Sequence, residues 1–131
     1  MTDTLPTHVK ADAPTAKEWH DPARGDVRFF TVIDADYGPT EAVVQGVAHI
    51  EPGDEEKPHH HEIAETIFVL DGAGTAQVGD KMLMLSKGDT VFVPAGMTHG
   101  WKAAGDAPLR FLFTFPADRF EEVAYHFREA A

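Results

Sequence analysis

Apolar and polar residues alternate in short runs along most of this chain. Runs rich in Val, Ile, Phe and Thr recur at 28–34, 42–50, 65–70, 74–78, 81–85, 90–93 and 109–115, with Gly, Pro and Asp between them. Alternation with period two marks strands that bury one face, and turn residues every 8–12 positions or so predict an antiparallel sandwich or barrel. Phe111, Phe113 and Phe115 share one face of the last run and are assigned to the core. The run 81–85 is expected as a buried strand, with Met82 and Met84 in the core.

Both ends break this pattern. Residues 1–27 are rich in Thr, Ala, Pro and Asp, with Trp19 as their large apolar anchor, a composition that predicts an extended arm. Beyond Pro116, the spacing of Phe120, Val123, Ala124 and Phe127 behind Asp118, a candidate N-cap, predicts a short amphipathic helix. The expected organisation is an N-terminal arm (1–27), a β-barrel (28–116) and a C-terminal helical segment (117–131) packed on it.

Composition narrows the chemistry. A chain of 131 residues suits one domain with a real core. Its 22 acidic and 11 basic residues give a formal charge of −11, which repels nucleic acid and anionic membranes. With no cysteine, disulfides and thiolate metal sites are excluded, so any metal must be held by imidazole and carboxylate. No apolar run approaches a membrane span and the N-terminus lacks the pattern of a secretory signal, so a cytoplasmic protein is expected.

Five of the 8 histidines lie between His49 and His99. His59 and His61 are two apart, so in a strand both imidazoles face one point while His60 faces away. Glu65 opens the next apolar run on the face of Ile67 and Val69, where a carboxylate calls for a counter-ion. His99, beyond the Pro94-Ala95-Gly96 turn, supplies a third imidazole. This set suits one divalent transition metal, Fe, Mn, Ni, Co or Zn, with coordination positions left open. His49 is expected to be hydrogen-bonded or exposed, Arg28 and Arg110 to lie on the surface, and His8, His20 and His126 to have no part in the chemistry.

The stretch from Gly53 through His59, His61 and Glu65 to Gly72 resembles the first cupin motif, and that from Gly88 through Pro94 and Gly96 to His99 resembles the second. Ala103 stands where the family often has Asn, which is not a metal ligand. The resemblance implies a double-stranded β-helix, the jelly-roll-like barrel of cupins, with the four named residues as metal ligands. Segments 29–37 and 113–125 are further similar to small cupin lyases that cleave dimethylsulfoniopropionate. In that family the metal binds the substrate carboxylate, a base removes the α-proton, and dimethyl sulfide leaves to give acrylate.

By matching position, Tyr125 is the implied base. These lyases commonly carry a second tyrosine two residues after the metal-binding glutamate, where this chain has Ile67. Trp101, two beyond His99, should share its face and wall the substrate pocket beside Ile67, with a π-face able to attract a sulfonium or ammonium. The leading expectation is a metal-dependent lyase acting on a small-molecule carboxylate. The alternatives are an Fe(II) dioxygenase and a non-catalytic, ligand-binding or sensing cupin. Similar cupins often pair, so a homodimer is expected.

Overall fold

The strand Leu109–Phe115 alternates buried and half-buried residues along its whole length, with Leu109, Phe111, Phe113 and Phe115 all inside. Its neighbour Val44–Ile50 buries Val44, Gly46, Ala48 and Ile50 in the same phase. The antiparallel register sets Phe113 against Gly46 and Phe111 against Ala48, large rings over small residues. A Cβ at Gly46 would collide with the Phe113 ring. Burying each such phenylalanine stabilises the fold by roughly 1.5–3 kcal/mol.

The computed structural model describes residues 5–128. Within them the strands are β1 Lys17–Asp21, β2 Gly25–Ile33, β3 Val44–Ile50, β4 Glu55–His60, β5 Glu65–Asp71, β6 Ala73–Val78, β7 Lys81–Ser86, β8 Thr90–Val93, β9 His99–Ala104, β10 Leu109–Phe115 and β11 His126–Phe127. They form one curled antiparallel sheet in the order β7-β6-β9-β4-β2-β3-β10-β5-β8, with β1 added to β2 and β11 to β4. This is the nearly all-β architecture expected, and Phe111, Phe113 and Phe115 are in the core. Gly72 makes one of its tight corners. It has φ +79°, and a Cβ there would run into the carbonyl of Pro108. Among the described residues no helix is long and apolar enough to cross a membrane.

Three local expectations are corrected. Residues 117–128 hold one turn of 3-10 helix, Phe120–Glu122, followed by extended chain and β11, in place of an amphipathic helix; residues 129–131 lie outside the described part. Asp118 does not cap it: its carboxylate accepts the Ala42 N–H at 2.7 Å. A helix this short is marginal in isolation. Here aromatic contacts win, because Phe120 packs on Phe29, Phe113 and Tyr125 while β11 pairs with β4.

Met82 and Met84 are 69% and 80% exposed. The edge strand β7 has one covered face, which Leu83 and Leu85 occupy, so strand alternation turns both methionines outward. At the other end of the chain, β1 and the first residues of β2 lie within the stretch expected as an arm. Trp19 is drawn in by the rings of Phe29, Tyr125 and Phe127 at 5.0–5.7 Å, and the Arg24 guanidinium covers its indole at 4.9 Å.

The orientation of β7 makes a direct prediction. Replacing Met82 and Met84 together by Gln should shift unfolding free energy by no more than about 0.5 kcal/mol per site. Leu85→Ala should cost about 2–5 kcal/mol. Urea denaturation of both variants checks the assignment.

Candidate metal centre

Antiparallel pairing of β4 with β9 sets His59 directly opposite His99. His61 follows β4 immediately, and Glu65 is the first residue of β5. All four are buried, none more than 4% exposed. The nitrogens of His59, His61 and His99 lie within 4.8 Å of one another, so this cluster could hold a metal ion. Sequence and structure therefore bring the same three imidazoles together.

Backbone carbonyls fix how each ring is used. His59 Nδ1 donates to the Lys57 carbonyl at 2.7 Å, His61 Nδ1 to that of Ile63 at 2.7 Å, and His99 Nδ1 to that of Met97 at 2.9 Å. A ring that donates through Nδ1 turns its Nε2 lone pair toward the centre when neutral, the arrangement that metal-binding imidazoles require. Two observations show that a cation fits. His59 Nε2 is buried without a hydrogen-bond partner. Glu65 Oε1 lies 3.2 Å from His61 Nε2 and 3.1 Å from His99 Nε2, acceptor facing acceptor unless a proton or a cation stands between them.

The electrostatics follow from burial. Burial, reinforced by the charge of His99, lowers the His59 imidazole to about 3. For His61 burial acts downward, but the bond to Glu65 and its charge prevail and raise it. Burial pushes Glu65 upward, yet its bonds to His61 and His99 leave it below the usual carboxylate range. The centre thus favours an ionised carboxylate beside neutral His59, a donor set that attracts a divalent cation.

Sequence reasoning missed Glu56. Its carboxylate is 7% exposed, and Oε2 comes within 3.3 Å of His59 Nε2 without the alignment of a hydrogen bond. Burial, then repulsion from Glu65, push it well above the ordinary carboxylate range. His59 is three positions beyond Glu56, an odd offset that in a regular strand would put the two on opposite faces. A register shift in β4 between these residues undoes that phase. The run of charged residues 54–57 gives no sign of burial.

Tyr125 does reach the centre. Its half-buried ring stacks on His59 at 4.9 Å and meets His61 edge-on at 5.3 Å. Burial, then the charges of Glu65 and Glu56, raise its phenol well above its usual value. A small cavity beside it, walled by Glu56, Glu65, Phe29, Phe111 and Phe120, has room for little beyond one water molecule. Ile67 and Trp101 are fully buried in the core, Trp101 with its ring 5.6 Å from His99. His60 points away from the centre and stacks on His126, and His49 pairs with Glu51 at 2.8 Å.

Residues 46–115 match the cupin domain family, more than half of the chain. The chain is a cupin. It is 31% identical over 111 residues to the dimethylsulfoniopropionate lyase DddW of Ruegeria pomeroyi, covering 85% of this cupin and 72% of that protein. It is 30% identical over 69 residues to a 5-nitrosalicylic acid 1,2-dioxygenase of Bradyrhizobium, covering 53% of this chain and 33% of the dioxygenase. Among solved structures, the polyketide cyclase RemF of Streptomyces resistomycificus superposes with a TM-score of 0.76 at 22% identity, covering 97% and 88% of the two chains.

His59 makes metal-free stability depend on pH. The unfolded chain protonates this histidine near 6.5 and the folded cupin only at about 3, so the unfolded state binds more protons between those values. Stability from this residue is complete above pH 6.5 and falls as pH drops through that window. Urea midpoints of metal-free protein from pH 7 down to about 5, above most carboxylate titration, should fall less steeply for His59→Gln than for the parent chain.

Proposed function

We propose that this cupin is a metal-dependent lyase that removes a β-substituent from a small carboxylate, with dimethylsulfoniopropionate as the favoured substrate. The observation that carries this reading is the similarity to the Ruegeria pomeroyi lyase across most of both chains, with the three-imidazole cluster inside the shared stretch. His59, His61, His99 and Glu65 would hold the cation. When bound, it would supply Lewis acidity to the substrate carboxylate and offset the charge that builds up as the α-proton leaves.

Tyr125 is the proposed base. Its ring lies against the His59 and His61 imidazoles, which puts the phenol beside the donor set. Burial holds that phenol neutral, so the base role depends on positive charge next to it. The base takes the proton from the carbon bearing the carboxylate. The C–H electron pair becomes the new C=C bond as the C–S bond breaks, and sulfur leaves with its pair as dimethyl sulfide, giving acrylate.

Glu56 is a second proton carrier within the same wall, its carboxyl pushed by burial toward the neutral form that can donate a proton. Aromatic rings beside two carboxylates suit a substrate that ends in a methylated cation. The cavity is too small for such a substrate as it stands, so entry requires the segment bearing Tyr125 to move aside.

Protein loaded with Fe, Mn, Ni, Co or Zn should release headspace dimethyl sulfide from dimethylsulfoniopropionate; no product above a metal-only blank rejects the substrate. Tyr125→Phe should retain metal while losing roughly 10²–10⁴-fold in turnover. The similarity to the nitrosalicylate dioxygenase favours one other reading, an Fe(II) dioxygenase. Oxygen uptake with a hydroxylated aromatic acid, in the absence of lyase product, would select it.

A further inference from the structure

The geometry points to a second cation site on the outside of the barrel, formed by His60, Glu62 and His126, that clasps β11 over the first centre. One ligand atom from each of these residues lies within 4.8 Å of the others. His126 Nε2 is 3.0 Å from Glu62 Oε1, and the rings of His60 and His126 stack 4.9 Å apart at 25°. The two histidines are a directly opposed cross-strand pair of β4 and β11. Two imidazoles and a carboxylate suit a borderline divalent ion such as Zn(II), Ni(II) or Cu(II), with water filling the remaining positions. Two Zn–N bonds together span up to about 4.2 Å, so the separation suits one ion once the stacked rings rotate to turn a nitrogen of each toward it.

Its position gives such a site a consequence. β11 is only two residues long, and its flanking and inward side chains cover the inner centre: Tyr125 and Phe127 each lie 4.9 Å from the His59 ring. His126, between them, faces outward and is half exposed. One ion shared by His60 and His126 would tie this strand to the barrel and hold Tyr125 in place. An occupied outer site would therefore favour the closed cavity, and an empty one would let the strand lift. Nothing in this depends on which reaction the inner centre performs.

The test uses the full-length, metal-free protein titrated with Zn(II) alone at fixed pH. Bound metal is measured after equilibrium dialysis, and amide exchange is followed across 123–128. Parent protein should bind one equivalent more than Glu62→Gln or His126→Asn, or bind the same number with the weakest step at least about 10-fold tighter. Both residues are exposed, so neither substitution opens the core. Filling that step should slow exchange at 125–128 in the parent and leave it unchanged in the variants. Equal stoichiometry and affinity in all three proteins would show a surface ion pair only and overturn the site. Loss of the equivalent without any change in exchange would overturn the clasp.

Discussion

Everything chemical in this cupin depends on one cross-strand pairing, β4 against β9, which sets His59 opposite His99. The two strands are remote in sequence, so neither imidazole has any reason to meet the other until these strands pair. Core burial holds the rest of the sheet together, and Phe113 can lie over β3 only where Gly46 leaves it room. The centre thus takes its basic geometry from strand pairing. Its own hydrogen bonds settle a finer matter, the direction in which each nitrogen lone pair points.

Placing two carboxylates inside an apolar barrel is costly, and the protein treats them differently. Glu65 is held ionised by two imidazoles, whereas Glu56 faces only a misaligned His59 and is pushed toward its neutral form. Two similar side chains thereby acquire opposite protonation tendencies across one small space, the division that acid–base chemistry uses. The aromatic rings around them exclude water and keep both effects strong.

Strand periodicity made most of the barrel legible beforehand, because its inward residues alternate cleanly in β3, β5 and β10. The histidine cluster was legible for the same reason: a spacing of two is a statement about faces. Glu56 was not, since a bulge has no signature in charged residues. Met82 and Met84 misled because a methionine looks apolar wherever it sits, and only the neighbours of β7 reveal which face is covered. The C-terminal segment misled differently. Phe120, Val123 and Phe127 have helical spacing, but long-range aromatic contacts and pairing with β4 outweigh that local preference.

Trp19 carries a lesson about dispensability. Its indole touches Phe29, Tyr125 and Phe127, so segments near the two ends of the chain brace each other. Trimming the chain back to Arg28, where the regular alternation begins, would spare every one of the four buried residues proposed to hold the ion. It would nonetheless remove the prop behind the proposed base, and with it the Gly25 pairing and the Arg24 carbonyl that hold β4 beside His59, so the tyrosine and the imidazole it stacks on would loosen together.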